Sequence, residues 1–487
     1  MLRPVHPSLE AVRDLVIREL RAQGVPSLAV AVARDGEILW EEGFGWADRA
    51  HRVPADEHTT YSLASITKAM TGTALMQQVE KDAVDLDAPI ERYLGGARLQ
   101  PRAVTTAEGA TVRRVANHTA GLPLHYQFFY EDEPYLRPPM AETMRRYALL
   151  VTAPGERMQY SNLGYGILDH LLSAVTGTPY ADLVRRDVFV PLGMHRSAIG
   201  LPADLAPLAA QRYGSDDVAY PPYDFDHPGG SAAYASAHDL LRFGMAMLRT
   251  PLPDQRSVLA DASIGAMHAD AGGKGYGVGW IVAEESGYAT VGHSGGMGGV
   301  STQLLLVPSE RIAVVALTNR SSALLAAMTR IAVLDALLPG YDGEAVGSTL
   351  LAQAAPQGEE PSDEVWASMA GRWDGEVEVF SGNVRLSLDV RPAERLVLAR
   401  LGRAPRVVVD RLRVVDGRLQ GGMLGDLRSP DTARYRHGLV TDLVVRGDVI
   451  DGALVAVALP GTEDEGGAPG RRAGNALAHW VSLGRVR

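Results

Sequence analysis

Two short apolar runs, SLAVAVAR and EILWEEGFG, flank Asp35-Gly36 near the start of the chain. An Asp-Gly pair suits the left-handed backbone of a two-residue turn, so residues 27–45 predict a β-hairpin. Ahead of it, in MLRPVHPSLEAVRDLVIREL, Val12, Leu15, Val16 and Leu20 recur at helical spacing and predict an amphipathic helix. ITKAMTGTALMQQVE and NLGYGILDHLLSAVTG carry the same spacing within a helix-rich stretch that reaches about residue 250. Strand patterning returns over residues 276–318, in YGVGWIVAEE, STQLLLV and RIAVVALTN. Strands at both ends of a helical middle predict an α+β domain over residues 1–350, a mainly antiparallel sheet packed against helices.

The pattern then changes. QAAPQGEEPSDE is polar and carries Pro and Gly, which makes residues 351–365 a linker. Beyond it every run is β-like: Val384, Leu386, Leu388 and Val390 alternate with polar neighbours, and LVVRGDVIDGALVAVAL and HWVSLGRV follow. Residues 366–487 therefore predict a second domain, a small antiparallel barrel or sandwich. GTEDEGGAPGRRAG, from Gly461, is expected to be an exposed loop between its last strands.

Charge and composition narrow the function. The net charge of −11 argues against nucleic acid or an anionic membrane as partner, since both need basic patches. Cysteine is absent, which removes disulfides, thiolate metal sites and cysteine nucleophiles together. The N-terminus has no apolar core of a signal peptide and no 18-residue apolar run follows, so the expectation is a cytoplasmic protein without a membrane span. Histidines are scattered, no H-E-x-x-H occurs, and no metal or cofactor is implied.

Two stretches compete for the role of nucleophile. GHSGG at 292–296 fits G-x-S-x-G, which would make Ser294 the attacking residue of a strand–turn–helix elbow. The elbow needs a helix directly after the serine, but GGMGGVSTQLLLV follows, glycines and then a strand. In YSLASITKAM, by contrast, Ser65 and Lys68 stand one helical turn apart and share a face. Lys68, Lys81 and Lys274 are the only lysines in an arginine-rich chain. A desolvated lysine can become a neutral base, whereas arginine keeps its proton.

PGERMQYSNLGYG adds Tyr160-Ser161-Asn162, a Y-x-N ahead of a helix, and GHSGG then supplies His-x-Gly ahead of a strand. S-x-x-K, Y-x-N and H-x-G in this order resemble the serine β-lactamase and penicillin-binding-protein superfamily, in its class C-like esterase and D-aminopeptidase branch. NHTAGLP, VFVPLGM, GGSAAYASAHDLLRF and YGVGW fit the same resemblance, which runs from about residue 7 to 340. It implies that Ser65 attacks, Lys68 is its base and Tyr160 passes the proton to the leaving group. Asn162 then bonds Lys68 and substrate, and His293 donates to Tyr160 or to a substrate carboxylate. The oxyanion hole would be the backbone N–H groups of Ser65 and Gly296.

Two aromatic segments are candidates for substrate recognition. HYQFFYEDEPYLRPP brings Tyr126, Phe128, Phe129 and Tyr130 beside acidic residues, and YPPYDFDHPGG brings Asp224. Glycines such as Gly295 would let substrate lie close to the strand. Gly371-Arg372-Trp373 and the closing WVSLGRVR are similar to a lipocalin-like barrel, with Arg485 stacking on the tryptophan. The function this implies is hydrolysis of a small ester or peptide through a Ser65 acyl-enzyme, with that small-molecule or peptide acyl substrate as the partner expected. The alternatives are a penicillin-binding-protein-type thioesterase that cyclises a nonribosomal peptide, and a non-catalytic peptide-binding protein.

Overall fold

A computed structural model describes residues 5–354, 357–459 and 474–487. In chain order the elements that build the first domain are α1 (Glu10–Ala22), β1 (Ser27–Arg34), β2 (Glu37–Asp48), α2 (Thr67–Glu80), β3 (Tyr126–Tyr130) and α3 (Asn162–Thr176). Next come β4 (Tyr223–Phe225), α4 (Ala237–Met247), β5 (Ile281–Glu285), β6 (Tyr288–Met297), β7 (Val300–Val307), β8 (Ile312–Thr318) and α5 (Leu325–Leu337). The second domain holds β9 (Gly371–Glu378), β10 (Val384–Arg391), β11 (Leu396–Leu401), β12 (Val407–Val408) and β13 (Asp410–Val415). It closes with β14 (Arg418–Leu424), β15 (His437–Arg446), β16 (Val449–Ala458) and β17 (Asn475–Arg485).

The first domain is α+β. Its sheet is antiparallel in the order β5-β6-β7-β8-β1-β2, with the short strand Val53–Pro54 at the edge. The hairpin turn forms at Asp35-Gly36, both left-handed at φ 55° and 85°. SLAVAVAR is apolar without alternation because β1 is covered on both faces. Ala29, Ala31 and Ala33 meet the core shared with α2, α3 and α4, while Leu28, Val30 and Val32 meet α1 and α5. Small residues on one face let the helical layer approach closely, and branched residues fill the other.

YGVGW departs from the strand expected of it, since β5 begins only at Ile281. The glycines explain why. A Cβ on Gly277 would overlap the Met267 carbonyl, and one on Gly279, at φ 83°, would overlap the Lys68 carbonyl. The segment is pressed against the helix that carries the site. Residues 351–354, the start of the expected linker, end a helix that spans Gly343–Ala354. A short helix, Asp363–Ser368, occupies the other end of that range. The loop expected after Gly461 lies outside the described residues.

The second domain is a nearly closed antiparallel barrel in the order β12-β11-β10-β9-β17-β16-β15-β14-β13. Leu386, Leu388 and Val390 point inward, as their alternation predicts. The interior is filled by side chains: the cavity among Met369, Leu388, Leu419, Met423, Leu443 and Ile450 is about 30 Å³, room for a water and little else. Arg485 stacks 4.1 Å from the Trp373 ring centre, and the Trp373 indole N–H donates to the Met369 carbonyl at 2.8 Å. β3 pairs with the start of β17 and β4 pairs with β3, so two strands of the first domain extend the barrel sheet.

Candidate active site

Ser65 lies in a 3-10 turn, Ala64–Ile66, that runs into α2. Ala64 is buried with φ 49°, a left-handed conformation that costs a non-glycine residue and is held only by its surroundings. Those surroundings are tight. The Leu63 N–H donates to the Ala233 carbonyl at 2.8 Å, and the Thr302 hydroxyl donates to the Leu63 carbonyl at 3.1 Å. A Cβ on Gly295 would overlap that same Leu63 carbonyl. Gly295 is thus placed by packing against the turn, whereas a Cβ on Gly296 would meet no described atom within 4 Å. Along β6, His293 and Gly295 are buried, and Ser294 and Gly296 are exposed.

Lys68, one turn on, is completely buried. Its Nζ lies 3.2 Å from Ser65 Oγ, 2.8 Å from Asn162 Oδ1 and 2.8 Å from the Gly230 carbonyl. No carboxylate lies within ion-pair distance of it among the described residues, and burial pushes its pKa well below the usual lysine range. A neutral amine has two N–H groups and one lone pair. The two amide oxygens are acceptors only and take the N–H groups, which leaves the lone pair for the one neighbour that can donate, the Ser65 hydroxyl. This is the arrangement of a nucleophile with its base.

Tyr160 precedes α3, which Ser161 caps by accepting from the Gly164 N–H at 3.2 Å. Lys68 Nζ sits 4.8 Å from the centre of the Tyr160 ring. Burial pushes the phenol above its ordinary range, and a hydrogen bond with Ser65 pulls it partly back. The phenol is therefore a standing proton donor. His118 fixes the tyrosine's backbone from both sides: its carbonyl accepts from the Gln159 N–H at 2.7 Å and its Nδ1 from the Ser161 N–H at 3.1 Å. Its ring also stacks 4.4 Å from the Tyr160 ring centre. The residue itself is left-handed, at φ 62°.

His293 does not make the expected bond to Tyr160 in this structure. Its Nδ1 is 2.7 Å from the Ser294 carbonyl, which accepts, so Nε2 is the acceptor for the Tyr276 hydroxyl at 2.8 Å. Both nitrogens are engaged, and the ring stands 6.3 Å from that of Tyr160 without a hydrogen bond to it. Burial, and then the nearby Lys68, push its pKa down to about 3, so the imidazole is neutral. His118 and Tyr276 were not singled out from the sequence. Their signal was the position of NHTAGLP and YGVGW beside the three motifs.

The aromatic segments are placed by packing. Phe128 and Tyr130 on β3 join Tyr220, Tyr223 and Phe225 in one buried cluster, and Tyr126 is half-buried at its edge. Phe129 lies under the Arg434 guanidinium at 4.7 Å, and Glu133 is paired with Arg434 at 3.0 Å. Asp224 is exposed and paired with Arg137 at 3.0 Å. Glu133 thus meets an arginine of the barrel, and Asp224 one of the other aromatic segment.

An α+β scaffold that brings a serine, a fully buried lysine and a tyrosine together has the groups that a serine acyl-transfer fold requires. The chain belongs to the beta-lactamase family, whose family description matches residues 12–338. It is 31% identical over 332 residues to "Putative beta-lactamase-like 1" of Homo sapiens, a match that spans 64% of this chain and 64% of that protein. It is 31% identical over 320 residues to esterase EstB of Burkholderia gladioli, spanning 56% of this chain and 79% of the esterase. The octameric penicillin-binding protein homologue from Pyrococcus abyssi shares the fold at a TM-score of 0.59 and 22% identity, covering 92% of this chain and 98% of that one. The family is one of serine hydrolases. Among the described residues no helix is long and apolar enough to cross a membrane.

Proposed function

We propose that the protein hydrolyses a small ester or amide through a Ser65 acyl-enzyme. The observation that carries this reading is the fully buried Lys68, without a carboxylate partner among the described residues, with Ser65 Oγ 3.2 Å from its Nζ. The Ser65 proton passes to Lys68 as Oγ attacks the substrate carbonyl carbon. The tetrahedral oxyanion is held by the backbone N–H groups of Ser65 and Gly296, each such donor contributing about 3 kcal/mol to the transition state. Tyr160, protonated and in reach of Ser65, gives its proton to the leaving oxygen or nitrogen and regains one from Lys68. Water then attacks the acyl-enzyme by the same route in reverse. The likeness to an esterase supports an ester among the substrates.

Cyclisation of a peptide would share every step up to the acyl-enzyme, so the products decide. An aryl ester and a peptidyl ester with a free N-terminus serve as substrates, with chromatography and mass detection. The native enzyme is expected to release mostly linear acid, heavier than cyclic product by one water. Ser65→Ala should lose at least about 10³-fold in kcat, and Ser294→Ala should keep activity within about tenfold. Mostly cyclic product would replace hydrolysis by aminolysis, and an active Ser65→Ala would end the acyl-enzyme reading.

A further inference from the structure

The loop that delivers Tyr160 is held by the barrel as well as by its own domain. Arg157, three residues before Tyr160, donates from Nη2 to Asp442 Oδ2 on β15, and to Gln159 Oε1 at 3.2 Å. Asp442 is itself fixed within the barrel: its Oδ1 accepts from Arg418 Nε at 3.0 Å and from Gln420 Nε2 at 3.3 Å. The three side chains are largely buried, with 13% of Arg157, 10% of Asp442 and 4% of Arg418 exposed. A charge-assisted bond in such a place is screened little and holds its partners in one geometry.

The register of the segment makes this consequential. Residues 157–161 run as one short length of chain with Arg157 bonded to the barrel, Gln159 and Ser161 bonded to His118, and Tyr160 between those two toward Lys68. Displacing either end by an ångström moves the phenol relative to Ser65, and misplacement on that scale can cost about 10²-fold in rate. Another tie between the domains does not have this reach. Arg102 pairs with Glu378 at 2.8 Å, in a segment that carries no group of the site.

We propose that Asp442, acting through Arg157, is a positioning residue for Tyr160, so that the barrel completes the catalytic centre although it presents no group to the reacting atoms. This rests on the Ser65 acyl-enzyme reading, and the two are separable because labelling of Ser65 by a fluorophosphonate needs neither Arg157 nor the barrel to be chemically involved.

The test uses the full chain with an aryl ester. Arg157→Met is the primary variant, because Asp442 then keeps Arg418 and Gln420 as partners and the barrel retains its internal bonds. Asp442→Asn, near-isosteric, is the second and stands in should the first fail to fold. Glu378→Gln is the control that removes the charge from a different bond between the domains. The expected result is a 10- to 100-fold fall in kcat for each of the first two, with KM within about twofold and the melting midpoint within a few degrees of native. Arg157→Lys, which keeps the charge but loses the planar fork, should recover part of that kcat. Glu378→Gln should stay within twofold. A native kcat in folded Arg157→Met or Asp442→Asn would overturn the inference, and so would an equal loss in Glu378→Gln, which would make the effect one of general domain docking. Failure of Ser65 to label in the native protein would instead strike the acyl-enzyme reading.

Discussion

Lys68 has no carboxylate within ion-pair distance among the described residues, and that placement fixes how the reaction should respond to pH. Its folded pKa is depressed, so protonation on acidification removes the lone pair that faces Ser65. The value of kcat/KM for a neutral ester should therefore rise with pH through that lowered pKa and then level off, well below the ordinary lysine range. His293 is neutral above about pH 3 and does not contribute this limb. A pH–rate profile in His293→Asn should keep the limb where it is, and a limb that vanished with the histidine would reassign the base. Lys68→Arg should be nearly as damaging as Lys68→Ala, because arginine keeps the charge and cannot give up its proton. Near-native turnover in Lys68→Arg would remove lysine from the role. At this scale the sequence was most informative for Ser65 with Lys68 and for Tyr160 with Asn162, because spacing sets each pair locally, while the fold brings the two pairs together across 94 residues. It was least informative for His118 and Tyr276, which reach the site from separate segments and gain their partners only by folding.

At the scale of elements the site is a turn wedged between a helix and a strand edge, and two neighbouring glycines do different work there. Gly295 allows β6 to lie against the Leu63 carbonyl, while the space beside Gly296 is open. Gly295→Ala should destabilise the protein by about 1–3 kcal/mol, since the Leu63 carbonyl and the Thr302 hydroxyl would both have to shift, and it should reduce turnover through the Ser65 turn. Gly296→Ala should leave the melting midpoint near native. Calorimetry on the two variants checks this, and equal destabilisation would contradict it. The hairpin at Asp35-Gly36 and the helices over α2 and α3 were legible because their signals are local. YGVGW was not, because its glycines answer to Met267 and Lys68 in another layer. The aromatic run on β3 was visible as aromatic, but its packing against β4 and Arg434 depends on chain about 100 and 300 residues away.

At the scale of the whole molecule, the first domain carries the groups proposed to react, and the barrel bonds both the aromatic segment of β3 and, at Arg157, the loop that carries Tyr160. β3 continues the barrel sheet, Arg434 holds the acidic tip at Glu133, and Asp442 holds Arg157. The filled barrel interior fits this supporting part better than that of a ligand container. Everything in the account depends on one covalent event at one oxygen. The most direct measurement is to treat the native protein with a fluorophosphonate, digest it, and locate the adduct by mass spectrometry. The account predicts a single adduct on Ser65 that is lost in Ser65→Ala and retained in Ser294→Ala. An adduct on Ser294, or no adduct in folded protein, would contradict it.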